Sequence, residues 1–184
     1  YPSGIYESGG PIRRPNDLVT IHTVGMDGQD GILVRVMWNL CNDDIDCLID
    51  TIVANLDDAY THGFQVALAI SDGHNIPSSI KEECTLFRDG EFRGEPISFC
   101  LPWDDAYLDA KGAFIQQLGA VVDQHPALAY MYFTGACSTN GFEGHCRVNE
   151  ETFTEAGYTP ERLAEAYTTV MDAYLSAFPT TPIA

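Results

Sequence analysis

The residues able to do chemistry in this chain lie at the ends of apolar runs. Asp72 and His74 close the run FQVALAISDG, Trp38 closes GILVRVMWNL, and Trp103 ends a long stretch without periodicity. Glu7 closes a first short run, SGIYES, while Glu143 and His145 fall in the Gly/Asn-rich segment after ALAYMYFTGAC. Carboxyl and imidazole groups in such places either exchange protons or are plain solvated side chains. An indole ring either stacks on a sugar or fills a core, and spacing leaves both roles open for each tryptophan. Arg35 poses a sharper question, because it sits alone among the apolar residues of GILVRVMWNL.

The six cysteines form three local couples, Cys41 with Cys47, Cys84 with Cys100 and Cys137 with Cys146. None makes a CxxC and few histidines are near, so no metal site is expected. An even count with each couple inside one loop predicts local disulfides and an oxidising, extracellular setting. Free thiols in a cytosolic chain are the competing reading.

The formal charge of −18 arises from 27 acidic against 9 basic residues. Such a field repels phosphate backbones and anionic lipid surfaces, which argues against nucleic acid and membrane partners. It leaves a sugar or cation partner, or simple solubility. With 184 residues and 45% hydrophobic content the chain suits one well-cored domain, 1–184. No window approaches the ~18 apolar residues of a membrane span. No basic-then-apolar leader opens the sequence, and no N-x-[ST] glycosylation acceptor occurs in it.

The elements that must position these residues follow from periodicity. In the run holding Arg35, Ile32, Val34, Val36 and Trp38 would point one way and Leu33, Arg35 and Met37 the other. Both rows are mostly apolar, as in a parallel strand covered on both faces. A helix is predicted from about Asp44 to His62, capped by Asn42 or Asp43 and ended by Gly63, with Ile45, Leu48, Ile49, Ile52, Val53 and Leu56 in its apolar stripe. FQVALAISDG is the next strand. The stretch from His74 to Trp103 has no clear periodicity and reads as a long loop stapled by Cys84 and Cys100. A second helix opens at Asp104 or Asp105 and runs to about Gln124; ALAYMYFTGAC is the fourth strand. A third helix starts at Thr159-Pro160-Glu161 and ends at Phe178-Pro179, after which Pro182-Ile183-Ala184 begin something apolar. Repeating βα units of this kind give a TIM-type (β/α) barrel or an open doubly wound sheet. No GxGxxG or GxxxxGK[ST] follows any strand, and no cofactor is expected.

Three stretches, DGILVRVMWNL, DQHPALAYMYFTGA and AGYTPERLAEAYTTVMDAYLSAFPTTPIA, together resemble the N-terminal half of β-galactosidase-like proteins of the clan-A glycoside hydrolases. The resemblance implies an α/β fold, a partial (β/α)8 TIM-type barrel with four strands, their helices and long disulfide-stapled βα loops. It implies that Arg35, inside the barrel on the second strand, supports catalytic carboxylates by charge-assisted hydrogen bonds; an interior arginine that merely pairs with an acid from a neighbouring strand is the equal alternative. Such enzymes use one carboxyl as proton donor and another as nucleophile. Asp72 and Glu143 are the candidate catalytic carboxyls, with Glu7 a weaker candidate; Arg35, Trp38, Trp103 and His74 are the candidate substrate contacts. The pattern departs from the family at one point: Thr134-Gly135 stands where an Asn-Glu pair is expected at the end of the fourth strand, and Asn149-Glu150 lies too far along to take that role.

The resemblance also implies that no seventh strand with its nucleophile falls within 1–184. A glycoside-hydrolase-like half barrel inactive alone is therefore expected, with a carbohydrate as ligand and vacant sheet edges awaiting the rest of the barrel, another chain or a second copy. The competing expectation is a non-enzymatic extracellular module that binds carbohydrate or self-assembles.

Overall fold

A computed structural model describes residues 4, 6–19, 29–135, 146 and 148–184. In chain order its elements are β1 (Tyr6–Ile12), β2 (Gly31–Met37), α1 (Ile45–Thr61), β3 (Gln65–Ser71), α2 (Ser78–Glu83), β4 (Leu86–Phe92), β5 (Glu95–Cys100), α3 (Asp105–Val122), β6 (Leu128–Met131), α4 (Glu150–Glu155) and α5 (Pro160–Ala177). Strands β1, β2, β3 and β6 form one parallel sheet in that order. A separate antiparallel pair, β4 with β5, fills much of the span between β3 and α3.

The alternation read from the sequence sorts β2 as expected. Ile32, Val34 and Val36 join the main core with Val66, Leu68 and Ile70 of β3, where they meet Leu48, Ile52 and Leu56 of α1 and Phe114, Ile115 and Leu118 of α3. Leu33 lies on the other face with Ala67 and Ala69, flanked by Tyr6, Tyr130 and Tyr132. Arg35 alternates onto that second face, in register with Pro11 of β1 and Ala69 of β3. A sheet with apolar residues on both sides is what continuous apolar strands encode.

The caps explain where the helices begin. Asp44, and neither Asn42 nor Asp43, caps α1 and accepts a hydrogen bond from Cys47 N at 2.9 Å. Asp104 caps α3 and Thr159 caps α5, with Pro160 in its first turn. Gly63 takes φ +76° just past α1, a backbone state that favours glycine. Helices α3 and α5 approach so closely that a Cβ at Gly119 would overlap the backbone oxygen of Ala177.

Two expectations change. Strand β1 does not stop with the run SGIYES; it continues to Ile12 through an irregularity between Ser8 and Pro11. Proline is tolerated there because β1 pairs only with β2 among the described residues. The loop from His74 to Trp103 holds α2 and the hairpin β4–β5, whose two-residue turn places Arg93 at φ 55° and Gly94 at φ 84°. The apolar start at Pro182-Ile183-Ala184 is there as expected: Met131 bridges in parallel to Ile183, with Met131 N donating to Pro182 O and Ala184 N to Met131 O, each at 2.9 Å. The apolar end of the sequence therefore takes the next place beside β6.

Two of the expected disulfides are present, Cys41–Cys47 and Cys84–Cys100. Cys146 is also disulfide-bonded, whereas Cys137 lies outside the described residues. Among the described residues no helix is long and apolar enough to cross a membrane.

Candidate functional site

The C-terminal ends of β2, β3 and β6 meet around one buried polar group. Asp72 directly follows β3 and is 0% exposed. Its carboxylate receives Lys111 Nζ at 2.8 Å, Tyr107 Oη at 3.0 Å and the amide of Gly73 at 2.7 Å. Lys111, on α3, is likewise 0% exposed. Its ammonium lies 3.5 Å from Thr134 Oγ1, which in turn shares a 2.8 Å hydrogen bond with the Tyr174 hydroxyl of α5. The same ammonium stands 4.9 Å above the ring of Trp38, the residue that follows β2.

Burial opposes a charge on Lys111, but the facing Asp72 carboxylate and the Tyr174 hydroxyl outweigh it and raise the ammonium pKa above its ordinary value. Lys111 thus stays protonated across the neutral range. Burial and the nearby Asp72 charge also push the Tyr167 hydroxyl up. Two charges removed from water this completely are tolerated because each finds its partner and additional hydrogen bonds.

This arrangement corrects several expectations. Asp72 is not a carboxyl open to a substrate; its oxygens are occupied by Lys111, Tyr107 and Gly73. Trp38 is 2% exposed and stacked on Phe114 with 5.2 Å between ring centroids, so neither face is open to a sugar. Trp103, 8% exposed, packs among Phe153, Tyr158 and the Arg162 guanidinium at 5.2, 6.3 and 5.1 Å. Both tryptophans are core residues. Glu7 pairs with Ile32 near the start of β1, at the opposite end of the sheet from Asp72. His74 is half-buried in a short turn after β3, and its carbonyl accepts a 2.7 Å hydrogen bond from Lys81 Nζ. Arg35 is half-buried on the face away from the helices, level with Ala69. Glu143 and His145 lie outside the described residues.

Lys111 escaped the sequence reading, although its signal is there. The chain has only two lysines, Lys81 and Lys111, and Lys111 falls on the stripe of Tyr107, Phe114, Ile115 and Leu118. A lysine in phase with the apolar face of a helix needs a buried partner.

The excursions after β3 and β6 join above the sheet ends. Phe87 and Phe99 of the hairpin contact one another at 5.5 Å, and Phe87 meets Phe153 of α4 at 5.1 Å. Thr152 Oγ1 donates to Asp89 at 2.7 Å, and Gly90 bridges to Val148. A cavity of about 550 Å³ opens beside this joint, lined by Asp89, Glu91, Pro96 and Asn149 among others.

Comparison with protein-family models gives no match, and comparison with curated proteins gives none either. Solved structures do match. Over 98% of its length the chain is similar to 44% of a GH5_18 protein from Streptomyces cattleya in complex with Manb1-4GlcNAc, at 16% identity and TM-score 0.59. The GH5_18 structure with GlcNAc gives the same coverage at TM-score 0.56. A β-galactosidase from Rahnella sp. R3 matches over 82% of this chain and 30% of its own, at 14% identity and TM-score 0.54. The fold is that of part of a TIM-type barrel, as those glycoside hydrolase structures have it. An exo-beta-1,4-mannosidase from Opitutaceae bacterium strain TAV5 has it too, over 96% of this chain and 31% of its own, at 11% identity and TM-score 0.51. The chain therefore spans less than half the length of each barrel protein it resembles.

Proposed function

We propose that this chain is a carbohydrate-binding part of an extracellular glycoside-hydrolase-type barrel and does not cleave glycosides by itself. The observation that carries the reading is the likeness to barrel proteins over 98% of the chain, the first of them solved with Manb1-4GlcNAc. Arg35 supports it by its place in the C-terminal half of β2, toward the strand ends where barrel sites are built. Thr134-Gly135, standing where the resemblance implies an Asn-Glu pair, supports the absence of hydrolysis. The atoms nearest to a Cβ at Gly135 belong to Phe133 and Tyr167, at 3.4 Å or more, so packing does not demand glycine there. The disulfides Cys41–Cys47 and Cys84–Cys100 fit an oxidising, extracellular setting. Further strands, from a longer polypeptide, another chain or a second copy, complete the sheet beside β1 and beyond Ile183.

Titration calorimetry with mannosyl-β1,4-GlcNAc and GlcNAc, run beside nitrophenyl β-glycoside assays, tests this. Saccharide binding without turnover is the expected result, and Arg35→Ala weakens the binding. Absence of binding to any β-linked saccharide overturns the carbohydrate reading. Turnover that disappears in Glu143→Gln overturns the non-hydrolytic part and makes Glu143 the acid.

A further inference from the structure

Four side chains from four segments meet in the buried network around Lys111: Asp72 after β3, Lys111 of α3, Thr134 after β6 and Tyr174 of α5. The Trp38 ring after β2 lies beside the same ammonium. Asp72 and Lys111 are both 0% exposed, so the two charges face each other and not solvent. Replacing a buried ion pair by apolar side chains is commonly neutral or stabilising, so the pair is poor value as glue. An ion pair has something an apolar contact lacks: direction. It fixes one atom against another, whereas methyl groups slide.

We propose that the Asp72–Lys111 pair is a positioning device, which sets the C-terminal ends of β2, β3 and β6 relative to one another. The backbone bonds around it show how the setting spreads. Asp72 receives Gly73 N on its carboxylate and Asn75 N on its carbonyl, and Asn75 O accepts from Asn39 N at 2.9 Å, just after Trp38. Trp38 N donates to Ser71 O at 3.0 Å. On the far side Thr134 carries the link to the segment after β6, whose Tyr132 N donates to Leu68 O at 2.8 Å. The ends of adjacent parallel strands are thus locked through one ammonium. The functional meaning of that lock rests on the saccharide reading, since these ends form the face on which barrel sites are built; the lock itself does not.

The test is amide hydrogen exchange on the unliganded chain carrying Asp72→Asn together with Lys111→Met. This pair of changes removes both charges, retains an acceptor for Gly73 N and keeps the volumes close. The expected result is an unfolding temperature close to that of the wild type. Exchange at Asn39, Gly73, Asn75 and Tyr132 rises by about tenfold, the effect of losing roughly one charge-assisted hydrogen bond. Exchange in the centres of α1 and α5 stays the same. Unchanged protection at the four amides, or acceleration spread evenly over all elements, overturns the proposal. Should the double variant fail to fold, Tyr174→Phe keeps the ring and removes the hydroxyl that bonds Thr134 and faces the Lys111 ammonium, leaving the Asp72–Lys111 pair in place. It is expected to speed exchange at Tyr132 and Phe133 alone, and unchanged exchange there is equally fatal. Failure of saccharide binding leaves these outcomes unaffected, so the two readings fall separately.

Discussion

Single carboxylates in this chain do most of their work through hydrogen bonds to backbone. Asp104 accepts from the amides of Thr85 and Tyr107 at 2.9 and 3.3 Å, joining the start of α3 to the start of β4. Asp123 accepts from Thr180 and Thr181 and so ties the end of α3 to the segment after α5. Burial works against ionisation of both, yet the donated hydrogen bonds prevail and hold each carboxyl below its ordinary value of 3.8. A depressed folded-state pKa means that the stabilisation is complete above 3.8 and is lost as pH falls through the lower folded value. Thermal unfolding followed into acid is therefore expected to show a falling midpoint in that window. Asp123→Asn should start lower at neutral pH and lose less on acidification; an acid loss equal to the wild type's would remove Asp123 from the account.

Among the elements, the hairpin β4–β5 has the least sheet to lean on. Two strands alone are marginal in water, so it relies on the aromatic contacts with α4 and on the Cys84–Cys100 disulfide at its base. That disulfide closes a sequence separation of 16 residues. By loop-closure reasoning its removal costs about 3 kcal/mol. Replacing both Cys84 and Cys100 by serine is expected to lower the urea midpoint accordingly. Limited proteolysis of that variant should then cut first within 86–100, and first cuts elsewhere would show that the aromatic joint suffices. The same hairpin shows why sequence reading missed this element. Its turn is Arg93-Gly94 rather than Asn-Gly, and Pro96 breaks the alternation, so the usual hairpin signals are weak although the backbone adopts the same two positive φ values.

For the whole molecule the dominant long-range force is self-repulsion. A chain with 27 acidic and 9 basic residues gains stability when its charges are screened, since the folded state packs them closer than the unfolded one. Sodium chloride is expected to raise the unfolding temperature from low to moderate ionic strength, measured by circular dichroism. A falling temperature would mean that exposed attractions, such as His125 with Asp57 at 3.1 Å, outweigh the repulsion. The same repulsion bears on the proposed completion of the sheet: a second copy brings the same net charge, whereas strands of a differently charged polypeptide do not.

What the sequence determined by itself was the part governed by local rules. Alternation in β2 and β3, the stripes of α1, α3 and α5, Thr159-Pro160 as a helix start and the pairing of near cysteines follow from backbone periodicity, caps and short loop closure, and none needs a distant partner. The resemblance of three apolar stretches to glycoside hydrolases drew on the same local pattern, and the fold agrees with it. Only the tertiary structure decided what Asp72, Lys111, Trp38 and Trp103 do. A carboxyl at a strand end is a reactive acid or half of an ion pair according to whether a cation from a helix some forty residues away reaches it. An indole is a sugar platform or a core filler according to what covers its faces. Burial and long-range pairing are properties of the packed chain, and one linear sequence does not contain them until the helices have closed over the sheet.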